Sequence, residues 1–103
     1  MANPQNLFWT GTTQFTDNTP YTEADHGGYE VEVNGAAAFS VPVAWNVNND
    51  YSFPIILIPG LKQGTNVFRM QTVSKAGVPS DWTDPVSFEY NSVPSKPTNV
   101  RVE

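Results

Sequence analysis

Residues 60–77 read GLKQGTNVFRMQTVSKAG, which is a turn, a strand and a second turn. Phe68, Met70 and Thr72 fall on one side of an extended chain, Arg69 and Gln71 on the other. Period-two alternation of this kind marks a strand with one buried face. Gly60, Gly64 and Gly77 bracket it with residues that tolerate positive φ.

The same pattern recurs along the chain. GGYEVEVNG puts Tyr29, Val31 and Val33 on one face and Glu30, Glu32 and Asn34 on the other. DPVSFEY alternates Val86, Phe88 and Tyr90, and NLFWTGTTQF is aromatic and threonine-rich. AAFSVPVAW and YSFPIILI read as further extended runs, the first at a sheet edge because Pro42 cannot donate to a ladder. DNTP, NVNND, IPGLKQG and KAGVPSD supply the turns between them. No window keeps a helical i, i+3, i+4 apolar pattern, and no internal repeat is present. About seven short strands with such turns predict an all-β fold, a two-sheet antiparallel β-sandwich.

Length and composition agree with one domain. The chain has 103 residues, 39% of them hydrophobic and only 15% charged, with seven glycines and nine prolines. That is apolar enough for a core and too rich in turn-formers for long helices. The predicted sandwich covers residues 1–92. Residues 93–103, VPSKPTNVRVE, form a proline-stiffened tail that ends in a possible extra strand, NVRVE.

Charge narrows the partners. Ten acidic residues against five scattered basic ones give a net charge of −5, which repels nucleic acid and offers no basic face to a membrane. The longest apolar run, FPIILIPG, is far too short to span a bilayer. The N-terminal stretch MANPQNLFWTG has neither a basic nor an apolar segment of the signal-peptide kind. Without cysteine there is no disulfide and no thiolate metal site.

On these residues the chain resembles the fibronectin type III and bacterial immunoglobulin-like domains. Trp9 in LFWT, Tyr29 in GGYEVEV, the segment from Leu57 to Thr83 with Leu61 and Gly64, and PVSFEY match in order the second, the third, the fifth and sixth, and the last strands of that family. The resemblance implies core positions for Leu61, Phe68, Met70 and Thr72. Two departures stand out. Asn66 occupies the place of the family's corner tyrosine, and its amide is expected to bond the turn backbone instead. The family's first strand is also absent before Trp9, whereas KPTNVRVE at the other end looks like one. The tail is therefore either a trailing linker or a strand supplied to its own sheet or to a neighbour's open edge.

The candidate chemistry is sparse. His26, the one histidine, lies beside Asp25 but lacks the partners of a triad or zinc site, so it reads as a solvated loop residue. Asp17, Glu23 and Asp25 share a loop that could hold calcium, but their spacing fits no EF-hand and a soluble acidic loop is the simpler reading. Glu30 and Glu32 pair as glycosidase carboxylates do, yet residues i and i+2 on an exposed strand face are ordinarily solubilising. Trp45, Trp82, Tyr51 and Tyr21 fall near loops or strand ends, where aromatics either anchor an interface or cap the ends of the core, and Trp82 is read as a cap. Trp45 and Tyr51, with Val100 and Val102 of the tail, are the candidate interface residues.

The expectation is thus a non-catalytic structural or interaction module needing no cofactor. The resemblance, with the absence of an export segment, points to a small phage virion protein of tail, baseplate, fibre or capsid. Its expected partners are other virion or surface proteins, or further copies of itself through sheet edges or the tail. The rival is a carbohydrate-binding or spacer module of a secreted bacterial glycoside hydrolase or adhesin, which would bind a glycan.

Overall fold

The structure, a computed structural model, describes residues 5–103, so the first residues of the 1–92 unit lie outside the described residues. Among the described residues six strands form: β1 (Asn6–Thr10), β2 (His26–Val33), β3 (Phe39–Val41), β4 (Asp50–Pro54), β5 (Gly64–Ser74) and β6 (Val86–Tyr90). β1 and β4 make a two-stranded antiparallel sheet. The second sheet has the order β3-β2-β5-β6, all antiparallel. The two sheets form a β-sandwich.

Alternation decides which side chains lie between the sheets. Tyr29, Val31 and Val33 from β2 are buried, and Phe68 and Met70 from β5 join them. Tyr51 and Phe53 from β4 close the core from the opposite sheet. Leu7, Trp9, Leu61 and Phe88 pack against this cluster from its margins. Each fully buried aliphatic or aromatic side chain contributes roughly 1.5–3 kcal/mol over its exposed state. Thr72 is only half-buried, and its hydroxyl lies 2.6 Å from that of Thr12.

Two extended runs prove shorter than expected. In YSFPIILI the strand stops at Pro54, and Ile55–Leu57 make a 3₁₀ turn. That turn buries Ile55 and Ile58 and leaves Ile56 and Leu57 exposed, so the apolar run serves two directions. In AAFSVPVAW only Phe39–Val41 pair, on the sheet edge, as Pro42 predicts.

The count of six rather than about seven has one further cause. β6 ends at Tyr90, and residues 91–103 are exposed and form no strand, so the tail adds nothing to either sheet of its own chain. It projects as an arm. The Gln63 side chain holds its root, accepting from Ser92 N–H at 2.6 Å and donating to Asn91 Oδ1 at 3.4 Å.

The corner before β5 is tied by asparagines. Asn66 is 0% exposed. Its Oδ1 accepts from Lys62 N–H at 2.9 Å and from Asn34 Nδ2 at 3.0 Å. Its Nδ2 donates to the carbonyls of Lys62 at 2.8 Å and Gly64 at 3.2 Å. Asn34 in turn accepts from Val67 N–H at 2.9 Å and donates to the Gly60 carbonyl at 3.3 Å. Asn34 and Gly35 both have positive φ, 53° and 77°, and Ala36 N–H closes the turn on the Val33 carbonyl. That is the geometry for which Asn-Gly is favoured.

Asn66→Ala orphans a backbone N–H and two carbonyls beside the core. It should cost about 2–4 kcal/mol, read as a lower urea midpoint. Asn66→Asp should cost at least as much, because a buried carboxylate would face the Lys62 and Gly64 carbonyls.

Candidate interaction surfaces

One end of the sandwich is built from rings. Trp9 stacks on Tyr51, with centroids 5.5 Å apart and planes 10° from parallel, and meets Tyr29 edge-on at 5.6 Å. Tyr29 leads to His26 at 4.7 Å, and His26 to Trp45 at 5.2 Å and Tyr21 at 5.8 Å. Phe15 ends the series against Tyr21 at 5.1 Å. Such offset and edge-on contacts add about 0.5–1.5 kcal/mol per pair beyond burial.

This arrangement revises several sequence readings. His26 is no solvated loop residue. It opens β2, is half-buried, and its Nδ1 lies 2.9 Å from the Tyr21 hydroxyl. Tyr51 is buried at 6% exposure, and its hydroxyl accepts from Asn46 N–H at 3.0 Å, so it supports the 46–50 loop and offers no surface to a partner. Trp45 is half-buried against Tyr21 and His26. Val100 and Val102 are fully accessible, at 84% and 101%.

Beneath the rings, Gly11 is fixed by its neighbours. Its N–H donates to the Asn49 carbonyl at 2.9 Å, and Asn49 Nδ2 donates back to the Gly11 carbonyl at 2.8 Å. A Cβ on Gly11 would lie 2.2 Å from Asn49 Oδ1 and 2.4 Å from the Tyr29 hydroxyl. Burial raises the pKa of that hydroxyl well above its ordinary 10.

The carboxylates are occupied locally. Asp17 Oδ1 accepts from both the N–H and hydroxyl of Thr19, which lowers its pKa. Asp25 Oδ2 accepts from the N–H and hydroxyl of Thr22. Among the described residues no three histidine, aspartate or glutamate side chains converge as a metal site. Glu30 and Glu32 each face a cross-strand partner. Gln71 donates to Glu30 at 2.6 Å, and Arg69 makes a bidentate pair with Glu32, at 2.7 and 2.8 Å from Nη2. The Arg69 guanidinium also lies 5.4 Å from the Trp82 ring centre, so these groups clamp β2, β5 and the 80–84 segment together.

The sandwich is open along one side. A groove of about 200 Å³ runs between β1 and residues 80–86, lined by Leu7, Trp9, Phe68, Met70 and Val86 among others. It continues past Thr72 and Ser80 into a second groove of about 380 Å³ beside Phe15 and Val78. Phe8 and Val86 flank the first groove at 73% and 59% exposure. Alternation alone does not announce this opening, because a groove of this kind lies along a strand edge that no described strand pairs with. The sequence signal that could have found it is the uncharged, proline-free composition of NLFWT. Among the described residues no helix is long and apolar enough to cross a membrane. Comparison with protein-family models, with curated proteins and with solved structures returns no match.

Two outcomes test the ring cluster. Gly11→Ala should destabilise by about 2 kcal/mol or more, read by urea denaturation. Burial lowers the His26 pKa below its ordinary 6.5, so the unfolded chain binds that proton more readily. Its contribution is therefore complete above that value and declines as pH falls below it. The melting temperature should drop between about pH 7 and pH 5, and His26→Gln should flatten that limb.

Proposed function

We propose that this chain is a non-catalytic interaction module of the fibronectin type III or bacterial immunoglobulin-like kind, serving in a phage virion or on another extracellular surface. The observation that carries the interaction reading is the open side. A groove lined largely by apolar side chains borders the edge of β1 that pairs with no described strand, and such an edge is a template for pairing with another chain. The groups best suited to acid–base chemistry are engaged in structure: Glu30 with Gln71, Glu32 with Arg69, His26 with Tyr21. The family reading draws support from the strand order of the two sheets, while Asn66 at the corner remains a departure from the family's tyrosine. The virion setting rests on that resemblance together with the acidic, cysteine-free composition.

A glycan-binding reading has one supporting feature, Trp45, half-exposed beside the polar 46–50 loop. Cross-linking of the chain within its native particles or on its native cell surface separates the two. Cross-links from the 80–86 segment or the arm to other virion or surface proteins are the expected result. Retention on insoluble polysaccharide that Trp45→Ala abolishes, without such cross-links, would replace the module reading with the glycan one.

A further inference from the structure

β1 is a strand with one free edge. Gly11 N–H and the Gln5 carbonyl point toward the β4 side, bonding Asn49 O and Ile55 N–H. Backbone groups alternate along a strand, so those of Leu7 and Trp9 face β4 as well. Those of Asn6, Phe8 and Thr10 face the other way, where no described strand pairs with them. Proteins normally protect such an edge with charge, proline or brevity. The other edges here have that protection: Asp50 and Pro54 in β4, three residues and Pro42 at β3, Pro85 and Glu89 at β6. NLFWT has none of it.

The edge also borders the groove. A strand laid along it would send alternate side chains between the sheets, toward Leu7, Trp9, Phe68, Met70 and Val86. Trp9 lines that groove and carries a buried indole N–H with no acceptor among the described residues.

The arm has the complementary pattern. Asn99–Glu103 matches the length of β1. Val100 and Val102 alternate with Asn99, Arg101 and Glu103, which is the pattern of a half-buried strand, yet both valines are wholly exposed. A linker has no use for that alternation. In its own copy the arm does not enter the groove, whose lining includes no residue beyond Val86. Gln63 holds its root, and Pro94 and Pro97 stiffen it. The molecule measures 73 Å by 24 Å by 24 Å, whereas β5, the longest strand at 11 residues, spans roughly 37 Å. Residues 91–103 are exposed and lie outside both sheets.

We propose that the arm of one copy adds as a strand to the open β1 edge of a second copy, seating Val100 and Val102 in the groove between the sheets. Donor and acceptor are different surfaces, so the contact is heterologous and propagates into a chain or ring unless two copies exchange arms reciprocally. The proposal rests on the interaction-module reading and names that module's partner as the chain itself.

Sedimentation velocity of the 103-residue chain over a concentration series tests it, with the 11.3 kDa monomer as reference. Species larger than a monomer should grow with concentration. Deleting residues 96–103, or making Val100→Asp with Val102→Asp, should return the chain to monomer without lowering its melting temperature, since residues 96–103 are exposed and pair with no strand of their own copy. Phe8→Pro, which removes an edge N–H, should do the same. Mixing the arm-deleted and Phe8→Pro chains should restore one-to-one pairs. A peptide of residues 95–103 added to the arm-deleted chain should shift the amide signals of Phe8 and Thr10. If Phe8→Pro fails to fold, the peptide titration reports on the edge by itself. A chain that stays monomeric throughout, or oligomers that survive arm deletion, would overturn the proposal. Peptide binding that leaves the β1 amides unmoved would overturn it too. Cross-links from the intact chain to other virion or surface proteins would still stand in any of these cases, so the two readings fail separately.

Discussion

The buried amide of Asn66 is the constraint on which the rest of the sandwich depends. It stands where the chain leaves the small sheet, crosses the end of the core through Ile55–Leu57 and enters β5. A crossing of that kind exposes backbone polar groups at the edge of an apolar core, and each must find a partner. Asn66 supplies a donor and an acceptor from one planar group and so answers Lys62 N–H, Lys62 O and Gly64 O together. Through Asn34 the tie extends to the turn that ends β2. The register of β2 on β5, with Val33 opposite Phe68, is therefore fixed from its end as well as by alternation.

The opposite end is organised by stacking instead of hydrogen bonding. Trp9, Tyr29 and Tyr51 fill the space between the sheets, and Gly11 lets the chain pass close beneath them. His26 and Tyr21 extend this packing into the long 12–25 loop. The two ends thus hold the sheets together by different means. The middle of one side, between β1 and Val86, receives no cover from either.

Much of the architecture was legible in the sequence because the side-chain period of a strand is two and both central strands obey it. Tyr29, Val31 and Val33 on β2, and Phe68 and Met70 on β5, could be placed inward from residue type alone. Pro42 announced an edge strand, and Asn66 announced a corner tied by an amide. Other features depend on tertiary placement that alternation does not encode. YSFPIILI looks uniformly extended, yet the core takes Ile55 and Ile58, and a turn is the conformation that presents both. Tyr51 looked like a loop aromatic because its neighbours are polar. It is buried because β1 brings Trp9 over it. His26 looked solvated because Tyr21 and Trp45, which enclose it, are distant or loop-borne in the sequence.

The grip of Gln63 on Ser92 and Asn91 has a mechanical side. Tension applied through the arm enters the body at the C-terminal end of β6, close to the corner that Asn66 ties. It draws β6 lengthwise past β5, so the bonds from Val86 to Tyr90 share the load and do not open one by one. The Gln63 contacts stand first in line and yield first. The corner behind them is tied by the four hydrogen bonds of Asn66, so a stretched arm pulls against a part of the chain that is cross-linked to its neighbours.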